Sequence, residues 1–406
     1  MERITIKNFG PIKNGFVDIN KVTLFCGPQG SGKSTVAKLI STFAWLEKSL
    51  VRGENTIKDF EKTGVFKNQF LSYHRLENYT GIENAEIEYK GSAYSFIFSK
   101  KGSLSIKEIQ TEYELPQIMY IPAERNFVSY FRKPNEIKSL DRSLTDFLTE
   151  FDNSKELLKT PYELPFNDIK LEYDRLNDNI NVTNGQYKLR LSHAASGFQS
   201  VIPVFLVSQY LSKIVQEQHS EKPQMSVDER KRFLKEWESI REQKSLTDEQ
   251  KQLMIQSLSS KFRKTAFINI VEEPEQNLFP VSQITLVNEL LKIVNLGNGH
   301  NKLIMTTHSP YILSALTIAV QGKYLSIKIE GNKNSEKLLS RLSGVVPLDS
   351  CVGIEDVSIY QIDYETGSIQ ALPKTSGVPS DDNYLNSLLD KGNVQFDWLL
   401  EIEEDL

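Results

Sequence analysis

The sequence predicts an α/β fold of the P-loop class, with a mixed sheet, a parallel core sheet and a helical hairpin inserted between two halves. Three observations predict it. Gly27-Pro28-Gln29-Gly30-Ser31-Gly32-Lys33-Ser34 fits G-x-x-x-x-G-K-[ST] between an apolar run and a helical pattern. From Thr265 the chain alternates strand and helix, the pattern of a parallel sheet covered by helices. Between them, residues 221–264 switch to charged, helical periodicity.

Taken in order, Arg3-Ile4-Thr5-Ile6 opens a strand, and Asn8-Phe9-Gly10-Pro11 and Asn14-Gly15 act as breakers. Val22, Leu24, Phe25 and Cys26 read as a buried strand ahead of the glycine loop, and Val36, Ala37, Leu39 and Ile40 open a helix behind it. Ala85 to Phe98 alternates on either side of a Lys90-Gly91 turn, and Ile118-Met119-Tyr120-Ile121-Pro122 is a short apolar strand followed by Glu124 and Arg125. A polar helical stretch spans about 139–159, Ile180 to Leu191 forms a hairpin turning at Asn184-Gly185, and an apolar helix carrying Val201, Val204, Phe205, Val207 and Leu211 follows Gly197.

Residues 1–220 form the first half and 221–264 the insertion, which holds two capping boxes, Ser226-x-x-Glu229 and Thr247-x-x-Gln250. Phe233, Leu234, Trp237 and Ile240 make one apolar stripe and Leu253, Met254, Ile255 and Leu258 another, so two helices can pack as a hairpin, either a solvated spacer or a docking arm. The second half, 265–406, runs strand Ala266–Val271, helix Val281–Val294, strand Lys302–Thr306 and helix Tyr311–Val320. Ser358 to Asp363 and Ser368 to Leu372 flank Glu365-Thr366-Gly367 as a hairpin. The last segment, Phe396 to Leu406, interleaves Trp398, Leu399, Leu400 and Ile402 with acidic residues, as a helix on the core or a peptide for a partner.

Composition narrows the function classes. The net charge of −5 offers no global field to hold a polyanion, so any DNA contact has to be local. Two cysteines, Cys26 and Cys351, give neither a disulfide framework nor zinc spacing and suit a reducing interior. The chain starts directly with strand-like residues, and no apolar run approaches the ~20 residues that span a bilayer. A cytoplasmic protein with no membrane association is expected.

The chemistry is concentrated in four places. In the glycine loop, successive N–H groups and the helix N-terminus point at phosphate oxygens, Lys33 reaches the outer phosphates, and the Ser34 hydroxyl can ligate Mg2+. Glu272 ends the apolar strand Phe267-Ile268-Asn269-Ile270-Val271 and is placed to hold Mg2+ directly or through water. Glu273, one residue on, suits polarisation of an attacking water. In Thr306-Thr307-His308-Ser309-Pro310, His308 is placed to hydrogen-bond a terminal phosphate or that water, or to serve the core. Ser192 to Gln199 is a small polar turn opening a helix, an arrangement suited to anion binding.

In this order the four elements resemble the ABC-type ATPases of the SMC, RecF and OLD group, and most of all the compact ATPase subunits of bacterial anti-phage systems such as PARIS and Septu. The resemblance covers residues 1–45, 118–125, 190–210 and 265–315. It implies an ABC-type head that binds and hydrolyses ATP with Mg2+, with Gly27, Pro28, Gln29, Gly30, Ser31, Gly32, Lys33, Ser34 and Thr35 as the Walker A loop. It further implies Ser196-Gly197-Phe198-Gln199 as the signature, Glu272-Glu273 as the Walker B pair, His308 as the switch histidine and Gln276-Asn277-Leu278 in the D-loop.

Because the family closes the signature of one subunit over nucleotide held by another, the resemblance implies a head-to-tail homodimer, with Ser196, Gly197 and Gln199 contributing in trans. The role it implies is a scaffold or sensor in phage defence controlling a separately encoded nuclease or toxin; the alternative is a repair or chromosome-associated ATPase that binds DNA. The sequence departs from the family pattern at Gln29, where Asn is common, at Glu272, where Asp is usual, and at Ala123-Glu124-Arg125, where a glutamine is expected. The hairpin is far shorter than an SMC coiled coil, and no Toprim-like nuclease domain is read after residue 320.

Overall fold

The computed structural model describes residues 2–404 apart from 80, 100–101, 110–111, 131–140, 167, 218–226, 244–246, 261, 298 and 376. The chain opens with strands β1 (Glu2–Phe9) and β2 (Ile12–Ile19), paired antiparallel with Phe9 opposite Ile12, the turn closed by Asn8 and Gly10 in left-handed conformation. The fully buried β3 (Val22–Cys26) then feeds the glycine loop and helix α1 (Lys33–Val51). After the short α2 (Ile57–Glu61), strands β4 (Glu86–Lys90), β5 (Tyr94–Phe98) and β6 (Leu104–Glu108) extend β1 and β2 into a five-stranded antiparallel sheet. Ile87 and Tyr89 of β4 face Phe98 and Phe96 of β5 across that sheet, all four buried, which is the alternation expected between Ala85 and Phe98.

Strand β7 (Pro116–Ile121) and helix α3 (Arg142–Ser154) precede a small antiparallel sheet of β8 (Tyr162–Glu163), β9 (Lys170–Asp174), β10 (Asn179–Thr183) and β11 (Lys188–Arg190). Val182 opposite Leu189 fixes the expected hairpin register. The core helix α4 (Ser196–Glu217) follows, then α5 (Val227–Glu242), α6 (Asp248–Ser260) and the buried strand β12 (Ala266–Glu272). Helix α7 (Pro280–Asn295), strand β13 (Lys302–Thr307), helices α8 (Pro310–Ile329) and α9 (Ser335–Ser343) and strand β14 (Val357–Ile362) complete the core. The chain ends with β15 (Ile369–Ala371), the two-residue strands β16 (Lys374–Thr375) and β17 (Val378–Pro379), and α10 (Tyr384–Glu404).

The core sheet runs β15-β14-β3-β13-β12-β7, with β14, β3, β13, β12 and β7 parallel and β15 antiparallel at the edge. Alternation along β3 assigns its two faces. Val22, Leu24 and Cys26 join the cluster of α4, α7 and α8, whereas Phe25 joins the cluster of α1 and the antiparallel sheet. Each large apolar side chain buried this way contributes about 1.5–3 kcal/mol. The arrangement is an α/β P-loop head with a mixed sheet, a parallel core and a helical hairpin.

Several expectations need correction. Helices α4 and α8 are each long and apolar enough to cross a bilayer, contrary to the sequence reading, but they are core helices: Val201, Val204 and Leu211 of α4 and Ile312, Leu316 and Ala319 of α8 are buried in one cluster. Helix α8 also runs to Ile329, well past Val320. In the hairpin, Thr247 and Gln250 form the expected capping box, while Ser226 lies outside the described residues. Its apolar stripes are only partly covered, since Leu234, Leu253 and Met254 are exposed. The hairpin is tied to the end of α1 through an Arg232–Glu54 ion pair and an edge contact of Phe233 on Phe262, whose face carries the Arg52 guanidinium.

The loop after β3 depends on β14. Gly27 has φ 145°, and a Cβ there would lie 2.4 Å from the carbonyl oxygen of Ile362, the last residue of β14. Gly27→Ala is therefore expected to lower the denaturation midpoint, with a loss of about 2 kcal/mol or more from backbone strain and the steric clash. Circular dichroism in urea checks this, and an unchanged midpoint refutes it.

Candidate functional site

Parallel strands leave their C-terminal ends at one edge, so β3, β12 and β13 deliver the glycine loop, the Glu272-Glu273 step and the Thr307-His308 turn to the same place. Gly27, Gly30 and Gly32 all have positive φ, which lets the loop curl, and Val36 N–H bonds the Gly32 carbonyl at 3.1 Å to start α1. Gln29 and Gly30 form the exposed tip, and Thr35 is fixed by its hydroxyl against the Tyr79 hydroxyl at 2.9 Å. Ser31 Oγ is buried without a hydrogen-bond partner. Such an orphan in a loop of curled N–H groups suits an anion.

Lys33 is 4 % exposed and folds back on its own loop, donating to the carbonyls of Gly27 at 3.0 Å and Pro28 at 2.8 Å. Burial pushes its pKa down to about 8, against the opposing pull of Glu273. Its Nζ also lies 3.5 Å from His308 Nδ1, and His308 Nε2 lies 3.3 Å from Glu273 Oε1. One imidazole can thus accept from Lys33 and donate to Glu273. The hydrogen bond from His308, with the charges of His308, Lys33 and Arg125, holds the Glu273 carboxyl below the usual carboxylate range. Lys33, His308 and Glu273 are therefore brought together.

Glu272 is held from three sides. Tyr120 donates its hydroxyl to Oε1, Ala123 N–H bonds Oε2 at 3.2 Å, and Lys38 Nζ stands 4.0 Å from Oε1. With both oxygens engaged, Glu272 suits a cation approached through water, and Ser34 at the start of α1 is half-buried. Among the described residues no group of three or more His, Cys, Asp or Glu side chains forms a metal cage. Both cysteines are free and buried, and burial pushes the Cys26 thiol up to about 12.

The Ser196 to Gln199 turn opens α4. Ser196 is exposed at the start of α4, and the Gln199 amide donates to the carbonyls of Ser192 at 3.1 Å and Ala194 at 2.9 Å. The amide thus braces the turn and does not face outward. Gly197 packs on the loop after β12, where a Cβ would come within 2.9 Å of the Asn277 carbonyl oxygen. None of the hydrogen bonds among the described residues joins Ser196, Gly197 or Gln199 to the glycine loop.

Sequence reasoning missed three residues. Glu275 Oε1 accepts from Thr307 Oγ1 at 2.9 Å and His308 N–H at 2.6 Å, so it fixes the turn that aims His308. Tyr120 orients Glu272. Arg125, fully buried, donates to the carbonyls of both Glu272 and Glu273. The only sequence signal was their position at the ends of apolar strands, which does not say where a side chain turns.

A glycine loop, an acidic strand end and a histidine turn at the C-terminal edge of one parallel sheet define a P-loop NTPase. The chain belongs to the AAA ATPase domain family, whose model matches residues 1–269. No curated protein matches the chain. Among solved structures, the SMC head domain from Thermotoga maritima is 13% identical, covers 77% of this chain and 90% of that one, and has a TM-score of 0.34. An Smc head with an extended coiled coil bound to the C-terminal domain of ScpA, derived from Pyrococcus furiosus, is 10% identical over 92% of this chain and 96% of that one, TM-score 0.36. A dimeric bacterial ABC transporter cassette is 11% identical over 90% and 96%, TM-score 0.22.

The Lys33 environment makes stability depend on pH. Its folded pKa, about 8, lies below the ordinary 10.5, so the unfolded chain binds the extra proton between these values and stability rises as pH climbs through that window. The full shift, discounted for partial solvation, is about 2 kcal/mol. Denaturation of the nucleotide-free protein from pH 7.5 to 10.5 is expected to show the rise in wild type and a flatter curve in Lys33→Met; parallel curves contradict it.

Proposed function

We propose that this chain binds and hydrolyses ATP with Mg2+, dimerises head to tail around the nucleotide, and acts as scaffold or sensor of an anti-phage complex with a separately encoded effector. The observation that carries the catalytic part is the chain of contacts from Lys33 to His308 at 3.5 Å and from His308 to Glu273 at 3.3 Å, while the exposed Ser196 makes no hydrogen bond to the glycine loop among the described residues. One copy then supplies phosphate binding and water activation but not the second lid. The defence role rests on the family resemblance, and residues 1–220 and 265–406 are read as one head with 221–264 as its insertion.

In this mechanism Lys33 releases the Gly27 and Pro28 carbonyls to reach the outer phosphates, remaining a cation at neutral pH because its pKa is about 8. Glu273 stays ionised and orients the attacking water, with His308 steadying its carboxylate and facing the terminal phosphate. The water oxygen bonds to the terminal phosphorus as its bond to the ADP oxygen breaks, and the water proton leaves toward Glu273. Ser34 and Glu272, the latter through water, would hold Mg2+, which when bound neutralises charge on the outer phosphates. Ser196, Gly197 and Gln199 from a second copy would close the site.

Glu273→Gln is expected to retain ATP binding, lower turnover by about 100-fold or more and accumulate dimers with ATP, read by phosphate release and light scattering. Unchanged turnover removes Glu273 from this role. Mixing Lys33→Ala with Ser196→Arg protein should restore partial hydrolysis, since one of the two composite sites is intact; no recovery at any ratio defeats the trans arrangement. Co-purification of a neighbouring effector supports the scaffold role, whereas ATP-dependent, salt-sensitive binding to duplex DNA with no protein partner supports a DNA-repair role in its place.

A further inference from the structure

Arg125 lies in the turn directly after β7, at the place where the family pattern expects a glutamine, and it is completely buried. Each hydrogen-bond partner of its guanidinium is a backbone carbonyl oxygen. Nη1 donates to Glu272 at 2.6 Å and Pro122 at 3.4 Å, Nη2 to Glu273 at 2.6 Å, and Nε to Ser200 in the first turns of α4 at 3.3 Å. One rigid fork thus joins the strand end that bears both acidic residues to the helix that begins at Ser196. Lysine, a single point donor on a flexible stem, cannot reproduce that fork.

The strand end needs such a brace. Glu273 has φ 43°, a left-handed conformation that costs a side-chain-bearing residue about 1–3 kcal/mol and persists only when its surroundings over-determine it. Thr306 fixes the Glu273 N–H, through its carbonyl at 3.0 Å and its hydroxyl at 3.2 Å, and Arg125 fixes the Glu273 carbonyl. On the other side, α4 contains Pro203, whose missing N–H leaves the Gln199 carbonyl without its helical donor. The first turns of α4 are therefore held less by their own ladder, and an outside donor at Ser200 bears directly on their position.

We propose that Arg125 is a positioning residue that ties the Ser196–Gln199 turn to the backbone of Glu273, so that engagement of the turn by a second copy sets the carboxylate for water activation. The inference rests on the ATPase reading above, and its control is Glu273→Gln: if wild-type hydrolysis is absent or survives that change, the ATPase reading itself fails. If the control behaves, Arg125→Lys should leave nucleotide affinity and KM within about twofold of wild type while kcat falls about 100-fold, the scale expected for misplacing a reacting group by about an ångström. In a double-mutant cycle with Ser196→Ala, the two losses in kcat should not multiply, because both remove one shared contribution. Multiplicative losses, or an unchanged kcat, overturn the proposal and leave Arg125 a structural brace. Should Arg125→Lys fail to fold, hydrogen exchange on the wild-type full chain decides: a non-hydrolysable ATP analogue should slow amides of 196–204 and 272–276 together, and slowing in one segment alone overturns the coupling.

Discussion

The structure depends on how buried positive charge is balanced at the end of a parallel sheet. Lys33 and Arg125 are both withdrawn from water, and neither makes a hydrogen-bonded pair with a carboxylate. Each instead directs donors to carbonyl oxygens, Lys33 also to His308 Nδ1, while Glu272, Glu273 and Glu275 supply the field around them. Burial still wins at both cations, lowering the Lys33 pKa to about 8 and the Arg125 pKa to about 10. Lys33 can trade weak neutral acceptors for an anion, whereas the Arg125 fork, enclosed on all sides, has nowhere to go.

That division explains the order of the polar layer. Glu275 braces the His308 turn, Gln283 bridges Ser309 and the Leu278 carbonyl, and Ser309 caps α8 through the Tyr311 N–H. These contacts link the ends of β12 and β13 to the starts of α7 and α8, so the acidic step and the histidine turn move as one unit. The turn before α4 belongs to the same unit through Gly197 and Arg125. A network of this kind resists change, because breaking any one bond strands a further buried polar group beside Glu275 Oε2, which is already buried without a partner.

Much of this was legible in the residues. The glycine loop, the apolar strands ending at Cys26, Glu272 and Thr307, the Asn184-Gly185 hairpin and the Thr247 capping box are local patterns, and local physics decides them. The small sheet of β8 and β9 and the strand β6 were not read, because their short segments carry few apolar residues and depend on neighbours distant in sequence. Arg125 escaped for a different reason. Burial of an arginine against three separate segments is a property of tertiary geometry, and in sequence it is only a charged residue after a proline. The apolar lengths of α4 and α8 were under-read, and hydropathy alone cannot separate a core helix from a spanning one.

The central strand β3 lies between β13 and β14, with Val22 opposite both Leu303 and Val357. A ribosome synthesises the glycine loop long before its two flanking strands, and the Gly27 turn rests on the Ile362 carbonyl. Until β13 and β14 emerge, β3 lacks both of its lateral partners, so the nascent polypeptide carries exposed apolar runs. A fragment that reaches past His308 but ends before residue 357 retains every nucleotide-facing side chain yet lacks one wall of their seat. Emergence of β14 is therefore the step that first completes the seat of the glycine loop.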